Sequence, residues 1–204
     1  VLGFCAYSAK GVYVYDFRIF NNTNYENDSS LSFTVEALDT VGQVAFEFKN
    51  NSTAESVITE IYFDDGSLLM LDHIVNFVID EDDKIGTKFK ANNVHPKNLP
   101  NAGLLDPDFE ATEIFSAEPD SPPAIWGIDP GEKLQLFFDL LEGKTFSNVI
   151  NELNSGGELR IGIHIQSLGP GGNDSVSAVN VPEPMSIMLL SLGSLYLFGR
   201  RRAQ

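Results

Sequence analysis

In several short segments between residues 31 and 166 the chain alternates apolar and polar positions with a period of two. Leu31, Phe33, Val35 and Ala37 fall on one face, with Ser32, Thr34 and Glu36 between them. Val44, Phe46 and Phe48 alternate with Gln43, Glu47 and Lys49, and Leu134, Leu136, Phe138 and Leu140 form a third such row. Ile161, Ile163 and Ile165 make a fourth, with Arg160, His164 and Gln166 directed outward. Several short segments of this period predict half-buried strands in packed antiparallel sheets. Ser56 to Phe63 is rich in β-branched and aromatic residues, and Asp64-Asp65-Gly66-Ser67 after it reads as a hairpin turn into Leu68 to Leu71. His73 to Ile79 is expected to form a further strand, ending at Asp80-Glu81-Asp82-Asp83.

One segment changes period. Phe146, Val149, Ile150 and Leu153 recur at helical spacing, Thr145 can cap the start, and Gly156-Gly157 can end the element. Residues 91 to 132 are rich in Asn, Pro and Asp and read as a long loop region with brief strands around Ile114 and Ile125. Leu168 to Asn180, with Gly169-Pro-Gly-Gly172 and a Ser/Asn run, reads as a flexible linker. The expected architecture is an all-β antiparallel sandwich, jelly-roll or immunoglobulin-like, with one short helix. Its domain spans residues 10–167 and the linker 168–180. Residues 1–9, apolar with small residues toward the end, read as a signal-peptide remnant.

The pattern breaks down altogether at the C-terminus. Met185 to Gly199 carries no charge and is dominated by Leu, Ile, Met and Phe; Pro184 precedes it and Arg200-Arg201-Arg202 follows. As a helix, fifteen such residues span roughly 22 Å, short of a bilayer's ~30 Å hydrocarbon core, and the arginines can snorkel to the headgroups. Positive flanks stay on the cytoplasmic side, which places everything before Pro184 outside. A charge-free stretch with no polar stripe fits a membrane better than a globular core.

Val181-Pro182-Glu183-Pro184, the apolar stretch and the terminal basic cluster, in that order, resemble the PEP-CTERM sorting signal of Gram-negative bacteria. The resemblance covers residues 181–204. It implies recognition by an exosortase, a membrane-embedded cysteine protease-transpeptidase, with cleavage near Pro182-Glu183-Pro184. It also implies transient anchoring in the inner membrane, then delivery to the cell surface or extracellular matrix, commonly beside exopolysaccharide in biofilm. Arg160-Ile-Gly-Ile-His-Ile-Gln166 with its Gly-rich turn is similar to a final strand of β-rich domains that precede such signals.

Composition narrows the remaining chemistry. A net charge of −16 disfavours nucleic acid as a partner, because phosphates repel an acidic surface. Cys5 is the only cysteine, which rules out an internal disulfide or a thiolate zinc cluster. His73, His95 and His164 lie on separate segments without a ligand-spaced partner, and no Gly-x-Ser-x-Gly elbow occurs. Asp64-Asp65, Asp80 to Asp83 and Asp106-Pro-Asp108-Phe-Glu110 could supply oxygen ligands to calcium, but none has calcium-loop spacing, and charged turns are the ordinary reading. No other cofactor is called for. Trp126, in a Pro/Gly-rich segment, could stack on a sugar, with Tyr13, Tyr15, Tyr25 and Tyr62 as further candidates. The expectation is therefore a noncatalytic surface or matrix protein. A carbohydrate-binding module is the alternative, and a secreted hydrolase is third.

Overall fold

The computed structural model describes residues 11–80, 85–91, 96–112, 116–155 and 159–182. Signal remnant 1–9, His95, Glu183, Pro184 and Arg200 to Arg202 lie outside the described residues, as do Asp82, Asp83 and the glycines at 156 and 157. Within them the protein is mostly β. Strands β1 (Val12–Ile19), β2 (Phe33–Thr40), β3 (Gln43–Asn50), β4 (Val57–Asp64), β5 (Leu69–Val75), β8 (Phe89–Ala91), β9 (Ala117–Pro119), β10 (Lys133–Leu140), β11 (Arg160–Leu168) and β12 (Asp174–Asn180) form one nearly closed antiparallel sheet. Its order is β5-β10-β3-β2-β1-β12-β11-β4-β9-β8. Strands β6 (Val78–Asp80) and β7 (Ile85–Gly86) pair separately.

The sheet folds over at β1. Val12 to Asp16 pair with β2, whereas Phe17 to Ile19 pair with β12, so one strand belongs to a front half and a back half. The alternating rows identified in the sequence face each other across this fold. Phe46 and Phe138 of the front meet Phe63 of the back, with ring centroids 5.4 Å and 4.7 Å from it. Ile161, Ile163 and Ile165 complete the back layer of the core. Each buried aromatic ring removes a large apolar area from water, and their tilted contacts add to that. The two open edges approach each other at Asn76. Its side-chain amide donates to Phe89 O (2.9 Å), and Phe89 N donates to its Oδ1, replacing a strand's backbone pairing. That diversion explains why the expected strand from His73 to Ile79 is split between β5 and β6.

Helix α2 (Phe146–Ser155) begins as expected. Asn148 N donates to Thr145 Oγ1 while Thr145 N donates to Asn148 Oδ1, a reciprocal cap. Val149, Ile150 and Leu153 are buried in the core. A second, four-residue helix, α1 (Pro123–Trp126), lies where a brief strand around Ile125 was expected. Pro123 at its start and Gly127 at its end favour that single turn.

Two other expectations are corrected. Asp64 to Ser67 do not form a hairpin, because β4 lies in the back half and β5 at the front edge. The Asp65 carboxylate accepts from Leu68 N and Leu69 N, both at 3.1 Å, and turns the chain across the core. Residues 168–180 are not a linker, since Asp174–Asn180 is a central strand between β1 and β11. Arg160–Leu168 is accordingly the penultimate strand. Only the Gly169-Pro-Gly-Gly172 turn is loop-like, with Gly169, Gly171 and Gly172 all at positive φ.

Candidate functional site

The back half departs most from a plain sheet. All residues of β4 but its last are buried, so both of its faces are covered. The inner face meets the core. The outer face is covered by residues 96–112, which cross it as a strap. Leu99 and Phe109 sit over Gly162, where a Cβ would lie 2.8 Å from Leu99 Cδ2 and 3.1 Å from Phe109 Cζ. Tyr62 and Val179 complete this second cluster. Arg160 ties the strap down. Its guanidinium bonds the Asp64 carboxylate and the carbonyls of Pro107 and Asp108, and its carbon lies 5.4 Å from the Phe109 ring. Glu110 N also donates to Asp64 Oδ2 at 3.2 Å. A cation thus joins two of the acidic segments considered as calcium ligands. Among the described residues, no three of His, Cys, Asp and Glu converge to hold a metal ion.

Beside the strap, the outer face carries a row of buried polar groups. His164 pairs with Ser177 on β12 and with Glu60 on β4. Its Nδ1 lies 3.4 Å from Ser177 Oγ, and burial holds its pKa below the ordinary histidine value. Pairing of Ile61 with Ala117 sets Glu60 beside Glu118 of β9. Burial pushes the Glu60 carboxyl up to about 7, against the Thr59 hydroxyl donating to it at 2.7 Å, and the Glu118 carboxylate adds to the rise. Tyr62, whose hydroxyl donates to Pro96 O at 2.9 Å, is raised well above the phenol range by the same burial. Serine, histidine and carboxylate in one row have the residue types of a nucleophilic triad. The geometry is otherwise: Ser177 has no exposed surface, and the Glu60 carboxylate accepts from Thr59 rather than orienting His164. Alternation revealed His164 as outward-facing, but nothing in the sequence pointed to Glu60 as its neighbour.

Trp126 is half-buried at the end of α1, with Lys88 Nζ 5.3 Å from its ring centroid. Tyr15 and Tyr62, considered as sugar contacts, are buried at 1% and 0% exposure and present no ring to solvent. Tyr13 remains partly exposed against Phe146, and the Tyr25 hydroxyl donates to Asp174 at 2.8 Å. His73 stacks on Phe137 with centroids 4.5 Å apart. An open cavity of about 340 Å³ lies at the same end as Trp126, lined by Thr53, Ser56, Asp129 and Ser167 among others. Burial and then the neighbouring Glu132 carboxylate push Asp129 up to about 6 there.

The sorting motif is divided by the limit of the described residues. Val181 and Pro182 are half-buried, and Val181 N donates to Asp16 O at 2.8 Å, extending the β12–β1 ladder by one bond. Among the described residues no helix is long and apolar enough to cross a membrane; the apolar stretch 185–199 lies outside them. Compared with known proteins, the chain matches no family model, no curated protein and no solved structure.

Proposed function

We propose that this chain is an exported, noncatalytic cell-surface or extracellular-matrix protein whose C-terminal signal is recognised and cut by an exosortase, and that it serves within exopolysaccharide. The observation that carries the reading is where the sheet stops. Strand β12 ends at Asn180, and Val181-Pro182-Glu183-Pro184 follows without a spacer. Pro182 has no N–H to continue the ladder, so pairing ends at Val181, the first residue of the motif. Cleavage there removes the apolar stretch and the basic cluster while leaving the β12 strand in place. The domain is of sandwich type, its jelly-roll-like character supported by the crossings from β3 to β4 and from β4 to β5 between facing halves. Mass spectrometry of the mature C-terminus tests the sorting. The secreted pool is expected to lack any peptide containing Arg200 to Arg202, and an intact tail in that pool overturns the proposal.

A further inference from the structure

Glu47, Glu60 and Asp65 are the buried carboxylates among the described residues, and each accepts a hydrogen bond. Asp129 is half-buried, but among the described residues no hydrogen bond or ion pair reaches its carboxylate. Only its main chain is engaged. Asp129 N donates to Glu132 Oε2 at 3.0 Å, and Glu132 N donates to Asp129 O at 2.9 Å. Glu132 also accepts from Gly86 N at 2.8 Å, which fixes its charge beside Asp129. Burial and that neighbour hold the Asp129 carboxyl up at about 6, the mark of a place short of positive charge.

This residue borders the open cavity of about 340 Å³, the size of a small-ligand site. Buried Ser56 and Val57 form its floor, and exposed Thr53, Glu55 and Pro130 its mouth. Glu55 has no ion pair among the described residues, and no lysine or arginine lines the cavity. Ser167 completes the wall. Its φ of 61° lies in the left-handed region, where the register of β11 against β12 shifts between Ile165 and Leu168. Glycine would adopt that conformation without cost, whereas serine carries a hydroxyl. Among the described residues that hydroxyl makes no hydrogen bond.

We infer that this cavity binds an amino sugar with a free ammonium group, presented as one residue of a cationic polysaccharide. The inference rests on the matrix reading above and narrows the polymer it serves within. The ammonium supplies Asp129 and Glu55 with the charge they lack, through charge-assisted hydrogen bonds. Ring hydroxyls bond Ser167 and Thr53, and the apolar C–H face of a sugar ring suits Val57 and Pro130. The whole chain agrees with the cavity: at a net charge of −16 it repels a polyanionic polymer and attracts a polycation. Trp126, the other candidate for a sugar, already carries Lys88 over its ring, which disfavours a second cation there.

The test is calorimetric titration of the full chain in detergent with a glucosamine tetramer, its fully N-acetylated counterpart and tetralysine. At about pH 6.5 and 0.15 M salt, diffuse attraction between exposed charges is damped. The glucosamine tetramer is expected to bind about tenfold more tightly than either of the others, as loss of a charged hydrogen bond implies. Asp129→Asn should reduce its affinity about tenfold, and Ser167→Gly several-fold. Both variants should keep the parent's urea midpoint or exceed it, because one removes a charge that burial opposes and the other relaxes a left-handed residue. Equal affinity for the two sugar tetramers overturns the inference, since a neutral ring then suffices. Unchanged affinity in Asp129→Asn also overturns it, assigning the binding to the acidic surface at large. Tetralysine bound as tightly as glucosamine gives the cavity to a cationic peptide instead. The comparison among the three ligands needs no variant, and none of these outcomes bears on the sorting, which stands or falls with the mature C-terminus.

Discussion

Replacing Glu60 by Gln isolates one costly buried charge of the described domain. Glu60 is 6% exposed, and its carboxyl is held at about 7 against an ordinary value of 4.5, chiefly by burial. The groups facing it are the Thr59 hydroxyl on its own strand, Tyr62, His164 from β11 and Glu118 from β9, the last 3.7 Å from Lys90. Between pH 4.5 and 7 the unfolded chain releases this proton while the folded chain keeps it. Stability is therefore fully present below the unfolded value and falls as pH rises toward the folded one. The full loss is about 3 kcal/mol, reached above pH 8. Glutamine keeps an oxygen for Thr59 Oγ1 and carries no charge. The E60Q variant should thus match the parent near pH 4 and exceed it by about 3 kcal/mol at pH 8.5. With an m-value of roughly 2 kcal/mol per molar, urea midpoints would separate by about 1.5 M at the higher pH. His164, whose lowered pKa costs stability as pH falls, is present in both proteins and cancels in the difference. A difference that stays constant from pH 4 to 8.5 refutes the reasoning.

Two further predictions address the covering of the back half and its last strand. Gly162→Ala should cost about 1–3 kcal/mol, because the added methyl group meets Leu99 and Phe109, both buried. It should also speed proteolysis within residues 96–112; an unchanged cleavage rate and unfolding midpoint would argue against close packing there. Deleting residues 174–182 should abolish cooperative unfolding, since β12 joins β1 to β11, whereas a dispensable linker would leave the melt unchanged.

What the sequence made legible was set by which faces meet water. Strands β2 and β10 are buried on one face and partly solvated on the other, so their period of two is plain. Strand β4 is covered twice, and its near-continuous apolar run conveys a strand without conveying its partner. The turn residues after it marked a reversal but not which half receives the next strand. Strand β12 was obscured for a different reason. Ser177 and Asn180 are buried at 0% and 7% exposure, but they are polar and satisfied at a distance. Ser177 N donates to Asn21 Oδ1, and Asn180 Oδ1 accepts from Ile161 N at 2.7 Å. Buried polar groups with remote partners resemble linker composition until those partners are known. The strap was hidden similarly, because Leu99 and Phe109 are isolated among Asn, Pro and Asp and acquire a partner only at Gly162.

The position of β12 constrains the proposed processing more tightly than the motif alone. A peptide bond engaged in a central strand opens to a protease only through local unfolding, which costs free energy. The Val181 amide is still paired with Asp16, and both Val181 and Pro182 are half-buried. An exosortase acting on the folded domain is therefore confined to bonds at or beyond Pro182–Glu183. Cleavage nearer the domain would have to fray the ladder between β1 and β12, the seam along which the sheet folds over. The mature C-terminus should end at Pro182 or later, and a product ending before Val181 would mean that processing precedes folding.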